Sequence, residues 1–411
     1  MKKLIYDIAK KSKILRIIFR NTRDFVNRCK YIFYMIRYRM DDKTILFEVY
    51  GGRGYTCSPR SIYEVMLTLD KFKDYKFVWA FNDINAHNIK KDDRTIIIKS
   101  GSSDYYKYLS ISKYWIVNFA IDEAVLKKKG QYYVQCWHGT PLKRLRCDIE
   151  VEGSSMNSTL EIRKKNDKDA SRYDYFISPS KYASMKFISS FNLKNLGKEN
   201  IIIKKGYPRN DSLFNYSDKD VDDIKKKLNI PKDKKVMFYL PTFRDNQHTS
   251  GVGYTYQLEI DFKRLMDKFS NEYIILFRPH YFIANKIDLS EYKGFVYNVC
   301  DYDEINDLYI VSDMIITDYS SVFFDFANLK RPMIFFMYDI EEYKNKLRDF
   351  YIDLDELPGP ITVNNDELID VIENIEKYNK KYKSKYEEFN KKYNYLDDGN
   401  ASIRVINEIF K

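Results

Sequence analysis

Met314-Ile315-Ile316-Thr317-Asp318-Tyr319-Ser320-Ser321-Val322-Phe323-Phe324 decides how this chain folds. Its first four residues are the right length and composition for a short strand buried on both faces. A polar turn follows, and the apolar run beyond it, residues 322–327, reads as a helix. Strand, polar turn and helix together make the repeating unit of a parallel α/β sheet. The same pattern recurs outward from this point. Run 273–277 leads into Arg278-Pro279-His280, run 236–240 into Pro241-Thr242-Phe243-Arg244, and run 132–137 into His138-Gly139-Thr140-Pro141-Leu142. Further strand-like runs lie at 44–49, 76–81, 95–99, 114–119, 175–178, 295–298 and 333–336, with helical patterns such as 61–72 and 104–110 between them. The fold class is α/β, in two Rossmann-like halves. The composition turns polar near 216–232, and Pro231 precedes the second series of strands. The expected organisation is a basic amphipathic segment over 1–40, a first Rossmann-like domain over 41–222, a second Rossmann-like domain over 223–365, and charged helices over 366–411.

Bulk properties narrow the function. At 411 residues, 44% hydrophobic and 31% charged, the chain has enough apolar material for two ordinary cores. Its five cysteines are scattered, with no Cys-x-x-Cys pair, so neither a disulfide framework nor a zinc site is expected. The formal charge of +11 sits at one end. Residues 1–40 hold twelve Lys or Arg against Asp7 and Asp24, leaving 58 basic against 57 acidic residues elsewhere. A protein that tracks nucleic acid spreads cations over its folded surface, so no nucleic-acid partner is expected.

The first forty residues carry Leu4, Ile8, Leu15, Ile18, Phe25, Cys29, Phe33 and Ile36 at spacings of three, four or seven, with basic residues filling much of the circumference. No apolar run approaches the length of a spanning helix, and no signal-peptide cleavage pattern follows. Two readings fit: a helix lying in the headgroups of an anionic leaflet, or one packed on its own domain.

No Gly-x-Gly-x-x-Gly or Walker motif is present. Gly51-Gly52-Arg53-Gly54 reads as a strand-to-helix turn or as an acceptor-site loop. The strand-end clusters carry the chemistry. Ser320 and Ser321 precede a helix, where they cap it or bind an anion, and Asp325 lies one turn further along the same face. Arg278 and His280 offer a guanidinium and an imidazole to a phosphate or to developing charge, although one such residue alone is equally a structural hydrogen bonder. His138, held between a strand and the Gly139–Pro141 turn, suits a general base or a satisfied core histidine. Lys143 and Arg144 remain without a role, as do His87 and His248. No acidic cluster suits Mg²⁺, so no metal and no other cofactor is expected.

Taken in order, 137–145, Gly206-Tyr207-Pro208-Arg209-Asn210-Asp211, 240–244, Arg278-Pro279-His280 and Thr317-Asp318-Tyr319-Ser320-Ser321 resemble the motifs of the CDP-glycerol glycerophosphotransferases of teichoic-acid synthesis. The resemblance runs over about 44–330. It implies a GT-B-like fold, with two Rossmann-like domains facing a cleft and a membrane-binding amphipathic amino terminus. It implies transfer of glycerol phosphate from CDP-glycerol to a hydroxyl of a lipid-linked acceptor, an undecaprenyl-diphosphate-linked saccharide or a polyol phosphate, with release of CMP. CDP-ribitol as donor, or a GT-B nucleotide-sugar transferase, are the alternatives. The resemblance places the protein at the cytoplasmic face of the membrane, peripherally bound. It points to His138 and His280 as catalytic, and to His138, Gly139, Thr140, Pro141, Leu142, Arg209, Pro241, Thr242, Arg278, Pro279, His280, Ser320, Ser321 and Asp325 as the CDP-polyol site.

Overall fold

A computed structural model describes residues 13–149, 159–242, 248–249, 253–254, 258–279, 287–340 and 350–411. Fifteen strands are present among them: β1 (Asp41–Glu48), β2 (Lys76–Phe81), β3 (Thr95–Lys99), β4 (Ser112–Val117), β5 (Tyr132–Gln135), β6 (Tyr175–Ser178), β7 (Ile202–Lys204), β8 (Lys235–Leu240), β9 (His248–Thr249), β10 (Gly253–Tyr254), β11 (Tyr273–Phe277), β12 (Val296–Asn298), β13 (Met314–Thr317), β14 (Met333–Phe336) and β15 (Ile361–Thr362). One sheet runs β3-β2-β1-β4-β5-β6-β7 and another β12-β11-β8-β13-β14-β15, while β9 and β10 form a small antiparallel pair. The registered pairs of both large sheets are parallel. This is the α/β fold with parallel sheets expected from the sequence. In each sheet the first strand in sequence is flanked by later strands on both sides, so the winding direction reverses there, once beside β1 and once beside β8.

The chain divides into two compact units. One contains the described residues up to Tyr55, with Tyr63–Trp137 and Lys168–Phe176; the other contains Thr56–Ile62, His138–Asp167 and Ile177–Lys411. In the first unit, β2 is a near-continuous buried apolar run and β1 is buried from Thr44 to Glu48, because parallel strands are covered on both faces. The Gly51–Gly52 turn follows β1, and it is left-handed at both glycines, φ +67° and +80°. A Cβ at Gly52 would lie 2.9 Å from the Asn82 backbone nitrogen. Strand β5 ends two residues earlier than its apolar run. The Gln135 side chain accepts a hydrogen bond from the Trp137 N–H at 2.9 Å, and Trp137 itself turns to φ +50°.

The basic amino-terminal segment is helical over Lys13–Arg37; residues 1–12 lie outside the described residues. Its carboxyl half packs on the Ser103–Ile111 helix: Tyr31 is fully buried, and the Tyr34 ring stacks on Tyr106 at 6.3 Å. The Ser110 hydroxyl donates to the Tyr34 carbonyl at 3.0 Å. Ile18, Phe19, Phe25, Val26, Phe33 and Ile36 remain exposed. One stripe of this helix thus packs on its own unit, and these six apolar residues stay uncovered.

Glu48, at the end of β1, is a buried acid. It accepts hydrogen bonds from the Ser100 hydroxyl at 3.0 Å and the Tyr105 hydroxyl at 2.7 Å, and burial pushes its carboxyl from 4.5 up to about 7. Below pH 4.5 the group is protonated both folded and unfolded. Between 4.5 and 7 the unfolded chain ionises first, so stability falls as pH rises through that window, by about 3 kcal/mol in all. Glu48→Gln is therefore expected to raise the thermal midpoint relative to the parent at pH 8 and to leave it little changed at pH 4.5. A midpoint difference independent of pH would contradict this.

In the second unit, alternate residues of β8 and β11 enter separate cores. Val236, Phe238, Ile274 and Leu276 pack with Phe323, Phe389 and Tyr393 on one face. Met237, Tyr239, Ile275 and Phe277 pack with Phe262, Leu265, Leu368 and Ile372 on the other. Helices Asn365–Glu373, Ile375–Tyr393 and Ala401–Ile409 form the tail, the first and last burying apolar faces through Leu368, Ile372, Val405 and Ile406. Ile375–Tyr393 buries only Phe389 and Tyr393, which leaves its lysine-rich surface to solvent as the composition predicts.

Candidate active site

In the second unit the strand-end clusters converge through the order of the sheet. Strands β11, β8 and β13 are neighbours, so Arg278, Pro241–Thr242 and Asp318–Ser321 emerge along one carboxyl edge, with the winding reversal lying between β8 and β13. Asp318 ties that point together. Its carboxylate accepts from the Thr242 N–H at 2.8 and 3.1 Å and from the Tyr319 N–H at 2.6 Å. The Thr317 hydroxyl donates to the Leu240 carbonyl at 2.8 Å. Backbone donors thus satisfy a buried acid, and the loop after β13 is fixed without using either serine.

Ser320 and Ser321 are half-buried, and Ser321 stands at the N-cap of the Val322–Phe326 helix without a side-chain capping hydrogen bond. The capping alternative is therefore not realised. The helix is only five residues, continuing as a 3-10 turn over Ala327–Leu329, so its dipole contributes little to anion binding. Arg278 is held by its own strand-end neighbours: its guanidinium donates to the Tyr302 carbonyl at 2.7 Å and the Val299 carbonyl at 3.3 Å. Pro279 beside it is buried. His280, like Phe243 and Arg244, lies outside the described residues.

The His138 turn belongs to the same unit. Gly139 approaches the serine loop so closely that a Cβ there would lie 3.1 Å from the Ser321 Oγ. Thr140, Pro141 and Leu142 are buried. The Pro141 carbonyl accepts from the Tyr182 hydroxyl at 2.8 Å, the Leu142 carbonyl accepts from the Tyr351 N–H at 2.8 Å, and the Leu145 N–H donates to the Tyr351 oxygen at 3.1 Å. His138 itself stays half-exposed. A partly exposed histidine on a fixed backbone is an arrangement a general base can use.

Arg209 joins these parts. Its guanidinium donates to the His138 carbonyl at 2.6 Å and pairs with Asp325. The pair is deep: the side chains are 10% and 1% exposed. Asp325, expected to face a ligand, is instead occupied by Arg209 and, at 3.1 Å, by the Asn210 amide. The Arg209 N–H also donates to the Ser58 hydroxyl at 3.4 Å. The segment holding Ser58 is pinned by Glu304, which accepts from the Thr56 hydroxyl at 3.0 Å and Arg60 at 3.1 Å; burial pushes the Glu304 carboxyl up.

Sequence reasoning places Asn210 in the Gly206–Asp211 motif without a role and does not find Asn306 or Asp397. Asn306 donates to the Arg209 carbonyl and, at 3.0 Å, to the Ser212 hydroxyl. Asp397, from the tail, accepts from the Tyr207 N–H at 2.8 Å, from Asn210 at 2.7 Å and from Asn328 at 3.3 Å, and burial pushes its carboxyl up to about 6. The only local signal is the Asp397-Asp398-Gly399 turn composition, which marks a loop and not a partner.

Parallel α/β halves with polar groups gathered at strand ends beside a winding reversal define a GT-B-like protein. The chain belongs to the CDP-glycerol:poly(glycerophosphate) glycerophosphotransferase family, whose model matches residues 30–411. It is 39% identical over 404 residues to the teichoic acid poly(glycerol phosphate) polymerase of Bacillus subtilis, covering 97% of this chain and 53% of that protein. With that of Bacillus spizizenii it shares 36% identity over 371 residues, 90% of this chain and 92% of the relative. It thus spans about half the length of the Bacillus subtilis relative and nearly all of the other. The structure of the wall teichoic acid polymerase TagF superposes with a TM-score of 0.86 at 35% identity, over 96% of this chain and 98% of that one.

Proposed function

We propose that this protein transfers glycerol phosphate from CDP-glycerol to a hydroxyl of a lipid-linked acceptor, releasing CMP, in the synthesis of teichoic acid or a related phosphate-linked surface polymer. The observation that carries the reading is the meeting of the His138 turn with the serine loop, through Gly139 against Ser321 and Arg209 between His138 and Asp325. His138 takes the proton of the acceptor hydroxyl. The oxygen attacks the glycerol-bearing phosphorus, the new P–O bond forms as the phosphoanhydride bond breaks, and CMP leaves with the electron pair. Arg278, His280, Ser320 and Ser321 stabilise charge on the pyrophosphate, with Pro241, Thr242 and Pro279 shaping the donor pocket. Positioning and electrostatics supply most of the rate. An assay of purified protein with CDP-glycerol, CDP-ribitol and UDP-sugars, using a lipid-linked primer and reading CMP release and product length, tests it. CMP release dependent on CDP-glycerol is expected; turnover of a UDP-sugar alone would overturn the reading.

The acceptor is lipid-linked, so the enzyme works at the cytoplasmic face of the membrane as a peripheral protein. Among the described residues no helix is long and apolar enough to cross a membrane, and the exposed apolar stripe of the Lys13–Arg37 helix, flanked by cations, suits a headgroup plane. Because that helix also packs through Tyr31 and Tyr34, deleting it would damage the fold; point changes are cleaner. Phe25, Val26, Phe33 and Ile36 all changed to serine should abolish flotation with anionic vesicles while leaving the thermal midpoint unaltered. Undiminished flotation would refute membrane binding through this face.

A further inference from the structure

Resting on the reading above, we propose that Asp397, acting with Asn210, is a positioning residue for the transfer: it holds the Asp325–Arg209 pair in the orientation that fixes the His138 turn. The connection is continuous. Asn210 gives one amide hydrogen to Asp397 at 2.7 Å and another to Asp325 at 3.1 Å. Asp325 holds Arg209, and Arg209 donates to the His138 carbonyl. Every member from Asp397 to Arg209 is a planar group whose hydrogen bonds fix its orientation, and each is buried or nearly so.

Asp397 is itself anchored to the same motif that carries Arg209. It accepts the Tyr207 N–H, and Gly206 presses on the tail so closely that a Cβ there would lie 2.6 Å from the Leu396 carbonyl oxygen, with φ +93°. Next to it, Asp211 accepts the Ala401 and Ser402 N–H groups at 2.8 and 2.7 Å, fixing the start of the last helix. The tail thus clasps the Arg209 segment from behind. All three donors to Asp397 are backbone or side-chain N–H groups, and none of them is a cation, so its job is orientation and not charge neutralisation.

The test is a double-mutant cycle on kcat/KM for CDP-glycerol, with thermal midpoints measured alongside. Asp397→Ala should lower kcat/KM roughly tenfold or more, because small misplacements of reacting groups are costly. Asp397→Asn, which keeps an oxygen toward Asn210 but turns an amide N–H against the Tyr207 N–H, should lose less than the alanine variant. In an Arg209→Lys background, where one ammonium replaces the two-ended guanidinium, Asp397→Ala should cost less than about twofold more while still lowering the midpoint. Equal losses in both backgrounds, or a loss that only tracks the midpoint, would overturn the proposal. If Asp397→Ala does not fold, Asn210→Ala breaks the same connection from its other side and decides by the same cycle. Parent-like activity of Arg209→Lys would reject the site reading and this inference together. A strong Arg209→Lys defect with an inert Asp397→Ala would reject the inference alone.

Discussion

His138→Ala is expected to reduce CMP release by about 10²- to 10⁴-fold, the range a positioned general base contributes. The fold should survive the change. Arg209 reaches the backbone carbonyl of His138, which an alanine keeps, and the turn is held further along by Tyr182 on Pro141 and Tyr351 on Leu142 and Leu145. The alanine variant therefore removes the imidazole while these backbone contacts of the turn remain. Its donor affinity, read by calorimetry with CDP-glycerol, should change much less than its rate, since the base acts on the acceptor hydroxyl. Residual turnover within about threefold of the parent would remove His138 from the mechanism.

The second large effect is on stability. Asp325→Ala leaves a guanidinium 10% exposed without its carboxylate and takes an acceptor from Asn210. Breaking a buried pair from one side costs about 3–5 kcal/mol, because the remaining charge stays desolvated. An exposed pair in the same unit is the natural comparison. Lys263 and Asp267 are both more than half exposed, one helical turn apart, and Lys263→Ala should cost no more than about 0.5 kcal/mol. Urea midpoints of the two variants should therefore differ several-fold in their displacement from the parent. Similar displacements would mean that Asp325 is not structurally committed to Arg209.

Much of the architecture was legible because parallel strands buried on both faces are written as short apolar runs. Runs 76–81, 95–99, 175–178, 273–277, 314–317 and 333–336 coincide with β2, β3, β6, β11, β13 and β14. The run through Trp137 overshot, since the Gln135 side chain captures the next backbone N–H and the chain turns while its residues are still apolar. Strands β7, β9, β10 and β15 are two or three residues long, too short to make a periodic pattern. The amphipathic pattern of the amino terminus is helical over Lys13–Arg37 but could not say which stripe would pack, because Tyr31 and Tyr34 meet a tyrosine more than seventy residues away.

The α/β class, the strand-end placement of His138, Arg278 and the Ser320–Ser321 pair, and the family all follow from the order of residues along the chain, since each depends on local composition. What those residues touch came from folding alone. Sheet order made β11, β8 and β13 neighbours, so that Asp318 could bind the Thr242 N–H across 76 residues of chain. Chain packing put Asp325 under Arg209, 116 residues away, and brought Asp397 to Asn210 across 187. Local patterns report which face of an element is apolar; they carry no information on which distant polar group completes a buried hydrogen bond. That pairing follows from the strong tendency of buried donors and acceptors to find a partner somewhere in the folded chain.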